Sequence, residues 1–235
     1  MQNVLTDRSV SLFRAPVPDN APSLAGVPAL DRIFCAAERL FAERGFDSVS
    51  ISDVAREASV CKANVFHHFA TKQALYEAVL TRSCEELGEE IERRLSSEAD
   101  AALQVSHFLT WYRDYLRAHP STARLVFREV TGKPDLAESG PVFPVLSRLF
   151  DNVVVHVRDA RDAGAFRADA NPTVVASLML GVTLFNSQTE HLRPHMPAWH
   201  DVSDETYVDL LTDVLMRGVR AVDANAMSDM RNGAT

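Results

Sequence analysis

The stretch that decides the fold is Ser50 to Leu75, SISDVAREASVCKANVFHHFATKQAL. Ile51, Val54, Ala55 and Ala58 recur at helical spacing, and Val65, Phe66 and Phe69 do so again after the joint Ala58-Ser59-Val60-Cys61. Ser50 is placed to cap the first of these helices, and Asp53, three residues on, completes a capping box that suits the helix dipole. The second helix has room for about two turns, with Lys62, Ala63, Asn64, His67 and His68 at its outward positions. Two short helices joined by about four residues cannot bury both apolar faces alone. They need a third helix beneath them, which is the physical logic of a helix-turn-helix.

That third helix precedes them. Pro28 sits where a first-turn proline belongs, and Ile33, Phe34, Ala37, Leu40 and Phe41 form an apolar stripe that ends at Gly45, with Arg44 complementing the dipole. Phe46 and Val49 carry the core on toward Ser50. Downstream, the spacing predicts a long helix from Thr71 to about Ser97. Its apolar positions are Leu75, Val79, Leu87, Ile91 and Leu95, and Glu85, Glu86, Glu89, Glu90, Arg93 and Arg94 face outward.

The run AAERLFAERGFDSVSISDVAREASVCKANVFHHFATKQALYEAVL resembles the N-terminal DNA-binding domain of TetR-type transcriptional regulators. The resemblance covers about residues 28 to 80. It rests on the Phe-x-x-x-Gly-Phe end of the first helix, Asp-Val-Ala in the second, Val-Phe-His-His-Phe in the third and Thr-Lys-x-x-Leu opening the fourth. Two positions depart from the family pattern. Ser59 stands where the family commonly has Gly, so a positive φ is expected there at some cost. Cys61 stands where Ser or Thr commonly caps, so weaker capping is expected. With no second cysteine near it in sequence, Cys61 reads as a replacement for Ser rather than a redox switch.

In a helix-turn-helix the start of the second helix enters the major groove, which makes Lys62, Ala63, Asn64 and His67 the expected readers. The Asn64 amide can donate and accept together, as an adenine edge requires, and Lys62 can approach guanine acceptors or a phosphate. The resemblance implies that Phe66 packs or touches the DNA backbone, that His67 and His68 lie at or beside phosphates, and that Lys72 binds a phosphate. Ser50 and Ser52, at a helix N-terminus, can add hydroxyl and amide contacts to phosphate. His67 and His68 do not form a metal pair, because adjacent helical residues point about 100° apart.

At 235 residues with 46% hydrophobic content, the chain can bury one large or two modest cores. No run reaches the roughly 18 apolar residues of a membrane span, and Asp7, Arg8 and Arg14 break any signal-like segment, so a cytoplasmic protein with no membrane partner is expected. Cys35, Cys61 and Cys84 have neither disulfide-framework nor zinc spacing. The net charge of −8 is uneven: residues 28 to 80 carry six Lys/Arg against seven Asp/Glu, a net of −1, and residues 81 to 235 carry sixteen against twenty-three, a net of −7. Local geometry must therefore supply any phosphate-binding face.

The organisation expected is all-α: a flexible arm over 1–27, a three-helix helix-turn-helix DNA-binding domain over 28–80, a larger helical ligand-binding and dimerisation domain over 81–225, and a flexible tail over 226–235. The arm holds Pro16, Pro18, Pro22 and Gly26, and its basic residues Arg8 and Arg14 are cancelled by Asp7 and Asp19, so it reads as a solvated tail rather than a minor-groove arm. Beyond the fourth helix, helical patterns span about 100–118, 121–131, 141–163, 172–192 and 204–222, broken by His119-Pro120, Gly132-Lys133-Pro134, Gly164 and Asn171-Pro172. A loop is expected from Arg193 to Asp204, whose neighbourhood holds His191, His195 and His200 without ligand spacing for a metal.

Aromatic and polar side chains in this second region are candidates for an effector pocket: Phe108, Trp111, Tyr112, Tyr115, Phe127, Phe143, Phe150, His156, Phe185 and Asn186. His107, Arg128, Glu129 and Gln188 are further polar candidates. The helices about 172–192 and 204–222 carry broad apolar faces, and the resemblance implies a homodimer through them. The function expected is that of a ligand-responsive regulator, a repressor released from a double-stranded DNA operator by a small, largely apolar molecule, with no cofactor and no catalytic or metal site. The alternative is an all-helical carrier or enzyme without DNA binding. No placed nucleophile, acid–base pair or metal set is recognisable for that alternative.

Overall fold

The structure is a computed structural model that describes residues 26–96, 101–132 and 143–220. The expected arm, except its last two residues, and the expected tail lie outside the described residues. The described chain is all-α, an N-terminal helix-turn-helix domain followed by a helical C-terminal domain. Its α-helices in chain order are α1 (Ala29–Arg44), α2 (Ile51–Glu57), α3 (Lys62–His68), α4 (Lys72–Leu95), α5 (Ala101–Ala118), α6 (Pro120–Thr131), α7 (Phe143–Asp162), α8 (Pro172–Thr189) and α9 (Asp204–Val219).

Local chemistry sets most of the boundaries. Pro28 lies one position before α1, and Gly45 closes the helix at φ 81 with its N–H donating to the Phe41 carbonyl. Thr71, Asn171 and Ser203 cap α4, α8 and α9 through side-chain oxygens that accept backbone N–H bonds. The expected loop after α8 is more ordered than its sequence suggests. Residues 190–195 and 197–199 form 3-10 turns, so the helix expected to reach 192 ends at Thr189. Arg193 is buried there with its guanidinium over Trp199 and Tyr207. Stacking on two aromatic faces, one of them on α9, holds a segment that contains two prolines and has no apolar period of its own.

Buried side chains run as one continuous core from Ile33 on α1 to Val219 on α9. α4 packs against α1 at its start and against α5, α6 and α7 along its length, and α8 lies against α5, α6 and α7. The Arg167 N–H donates to the Val219 carbonyl at 2.8 Å, which pins the end of α9 to the α7–α8 connection. Under the end of α1, Phe41, Phe46 and Tyr76 meet ring to ring, with Tyr76 edge-on to both phenylalanines at 5.1 Å. Aromatic pairs of this geometry add roughly 0.5–1.5 kcal/mol beyond area burial, so α1, the α1–α2 connection and the start of α4 are fastened together.

Candidate nucleic-acid interface

α2 opens with the complete capping box. The Ser50 hydroxyl accepts from Asp53 N–H at 3.1 Å and donates to Asp53 Oδ2 at 2.5 Å, and the Ser50 N–H donates to the same oxygen at 3.0 Å. These bonds from Ser50, with Arg56 adding one at 2.6 Å, hold the Asp53 carboxyl below its ordinary range. The Ser50 hydroxyl is thereby engaged in the cap, while Ser52 is exposed. The turn that follows carries the strain expected of it. Ser59 has φ 52, the left-handed region, and Arg32 donates to its carbonyl at 3.2 Å.

α3 begins at Cys61, whose side chain makes no capping hydrogen bond. Val65 is fully buried and seats the helix on the core, which turns Lys62, Ala63, Phe66, His67 and His68 to the surface. Phe66 is 45% exposed, with the Lys62 ammonium 5.7 Å from its ring centre. Asn64 differs from the expectation of a freely presented amide. Its Oδ1 is buried with no hydrogen-bond partner, so in this conformation one end of the amide faces inward. Lys72 also differs: its ammonium lies 4.2 Å from the Phe46 ring centre and donates to the Phe46 carbonyl at 2.8 Å. An ammonium has three donors, so Lys72 keeps further protons for an outside acceptor while it ties α4 to the α1–α2 connection.

Three contacts that no local pattern signals join α1 and α4 to α6. Arg128 donates to the carbonyls of Phe41 and Ala42 at 3.3 and 3.4 Å, Tyr76 donates to Glu129 at 2.6 Å, and Thr122 donates to Glu38 at 2.8 Å. Burial is the chief reason the Glu38 carboxyl is raised; Glu86 adds to it, while Thr122, His119 and Arg82 oppose it. His119 is lowered by burial against the pull of Glu38 and Glu86. The polar candidates Arg128 and Glu129 thus serve as a strap between the two halves of the described chain.

The effector candidates are distributed unevenly. Phe108 and Tyr112 are buried and stacked on each other at 5.6 Å, Trp111 lies 5.4 Å from Tyr115, and Tyr115 stacks on His119 at 4.3 Å. Phe127 and Phe150 are half-buried, whereas Phe143 and Phe185 are exposed. His156 is held by its own helix, with Nδ1 at 2.8 Å from the Asn152 carbonyl, and Asn186 accepts from Arg193. In this conformation the α5 aromatics fill the interior against one another, and a chamber among them requires those rings to part. Among the described residues, no three His, Cys, Asp or Glu side chains gather where a metal ion could be held, and no helix is long and apolar enough to cross a membrane.

Comparison with known proteins agrees with this geometry. Residues 33–79 match the family of bacterial regulatory proteins, tetR family. The chain is 24% identical to the HTH-type transcriptional regulator UidR of Escherichia coli (strain K12) over 165 residues, 66% of this chain and 78% of that protein. In fold it is similar to the transcriptional regulator FadR of Bacillus subtilis, solved in complex with stearoyl-CoA. That likeness has a TM-score of 0.67 and 13% identity, over 81% of this chain and all of that one (100%). It is also similar to the ketosteroid transcriptional regulator KstR2 of Mycobacterium tuberculosis, with a TM-score of 0.64 and 16% identity over 83% of this chain and 97% of that one.

Proposed function

We propose that this chain, being a TetR-type DNA-binding transcriptional regulator, is a homodimeric repressor released from its operator by a small, largely apolar molecule. The observation that carries the reading is the face of α3, where Lys62, Ala63, Phe66 and His67 stand exposed above a fully buried Val65. Residues 28–80 are the reading unit and residues 81–225 take the effector and the second protomer. Lys62, Ala63 and His67 enter the major groove. Asn64 joins them once its amide turns outward, a rotation that also relieves its buried, unpartnered oxygen. Ser52, His68 and a remaining proton of Lys72 meet phosphates, with Ser50 and Phe66 beside them.

Several features support the rest of the reading. Val174, Leu178 and Phe185 on α8 and Leu210 and Val214 on α9 are exposed large apolar side chains, as a twofold four-helix interface requires. FadR in its complex with stearoyl-CoA and the ketosteroid regulator KstR2, both similar in fold, support an effector with a large apolar part. The Arg128, Glu129 and Thr122 strap gives a physical route from α6 to α1 and α4. An effector that parts the α5 aromatics displaces α6, and the two reading units then no longer match major grooves about 34 Å apart.

The test is binding of the full chain to a duplex from the DNA beside its own gene, with salt titrated. Affinity is expected to fall linearly with salt on logarithmic axes, and Lys72→Ala, with helical content unchanged, to reduce that slope by about one. No binding at low salt, or a slope that Lys72→Ala leaves unchanged, would overturn the reading.

A further inference from the structure

Two points on α1 hold the helix that carries the exposed face. At the start of α3, Arg32 Nη1 donates to the Ser59 carbonyl at 3.2 Å, across 27 positions of chain. At its end, Phe34 meets Phe69 edge-on at 5.5 Å, and the Arg82 guanidinium, which donates to Asp31 at 3.1 Å, covers the Phe34 ring at 4.8 Å. Between these points Val65 is fully buried. The backbone bonds of the turn run to α2 instead: Ser59 N–H donates to the Arg56 carbonyl at 3.2 Å and Val60 N–H to the Ala55 carbonyl at 2.9 Å. Cys61 adds no side-chain cap. Arg32 thus ties the start of α3 to α1.

The Arg32 side chain is set into this joint rather than spread on the surface, since its Nε is buried and has no hydrogen-bond partner. The carbonyl it holds belongs to Ser59, whose φ of 52 a serine adopts only at a cost. A strained turn followed by an uncapped helix leaves the pitch of α3 to ties from outside. That pitch is a sensitive quantity. α3 has seven residues, a length of about 10 Å, so a tilt of about 10° moves its far end by about 2 Å. Hydrogen bonds to base edges tolerate a window of roughly 0.5 Å, whereas a long, flexible lysine follows a phosphate through such a shift.

We propose that Arg32 is a positioning residue for base reading: through the Ser59 carbonyl it sets the angle at which α3 presents Lys62, Ala63, Asn64 and His67, without touching DNA itself. The inference rests on the proposed reading of DNA by α3. Sequence preference, more than overall affinity, is what this tie protects.

The experiment measures, with salt titrated, binding of the full chain to the duplex beside its own gene and to a random-sequence duplex of equal length. Arg32→Met keeps the apolar stem and removes the donors. It is expected to keep its helical content and its affinity and salt slope on the random duplex, while affinity for the gene-side duplex falls about tenfold, the worth of one base-edge pair. Arg32→Gln is read in its place should Arg32→Met not fold. Glycine adopts a φ of 52 without cost. Adding Ser59→Gly is therefore expected to return part of the lost preference, which it would not do for a residue that met DNA directly. An equal loss on both duplexes, a preference unchanged in Arg32→Met, or a loss that Ser59→Gly leaves whole would overturn the assignment while the proposed function stands. A wild-type chain that binds both duplexes alike would overturn the reading by α3 and this assignment with it.

Discussion

Ser59 shows most directly how one position departs from its local chemistry. Its φ of 52 is a conformation that an L side chain adopts at a cost of about 1 kcal/mol. The Arg32 bond to its carbonyl holds the turn whatever the side chain is. Ser59→Gly is therefore expected to stabilise the chain by about 1 kcal/mol, read by urea denaturation, with α3 unmoved. Glu38 offers a pH-dependent counterpart. Because burial raises its carboxyl, the folded state holds that proton more tightly than the unfolded chain does. Its contribution to stability is present below the ordinary value of 4.5 and is lost as pH rises through the folded value. His119, lowered from 6.5, runs the opposite way: its contribution is present above that value and is lost as pH falls through the folded one. Glu38→Gln keeps an acceptor for Thr122 and removes the first dependence. Its gain in melting temperature over wild type is expected to be larger at pH 7 than at pH 5, and an equal gain at both would refute the assignment.

Helices divide by how local their determinants are. The ends of α1, α2 and α4 were legible because Gly45, the Ser50–Asp53 box and Thr71 act within one turn of the positions they fix. The turn strain at Ser59 and the missing cap at Cys61 were legible for the same reason. The strap from α6 and the bond from Lys72 to Phe46 were not, since each joins groups far apart in sequence and depends on how α1, α4 and α6 pack. The inward amide oxygen of Asn64 and the burial of Arg193 were hidden likewise, being settled by neighbours rather than by spacing. α4 carries a testable local weakness. A Cβ at Gly88 meets nothing within 4 Å, so Gly88→Ala is expected to raise stability by about 1 kcal/mol through helix propensity. A loss of stability on urea denaturation would mean that this position is crowded in solution.

Taken as one body, the described chain combines a closed interior with an apolar flank. The buried core is continuous from α1 to α9, yet Val214 on α9 is 66% exposed, and Val174 and Leu178 on α8 are exposed as well. The proposed homodimer would cover these side chains. Val214→Asp is expected to convert a dimer to a monomer by sedimentation at micromolar concentration, with helical content preserved and affinity for a two-half-site operator sharply reduced. A wild-type chain that sediments as a monomer would remove this interface. The acidity of residues 81 to 235, net −7, sets a second constraint on the whole. In the proposed complex this acidity opposes the approach of a duplex to the α3 face, and salt screens that repulsion.

The Arg128 guanidinium fills the space in which Gly45 would otherwise carry a Cβ. The residue that closes α1 and one on α6 are in this way coupled in inheritance. Among homologous chains, a side chain at position 45 is expected to accompany a shorter residue at position 128. A recombinant that drew its first helices from one such lineage and its sixth from another would have to move the Arg128 guanidinium off the end of α1 and give up its bonds to Phe41 and Ala42.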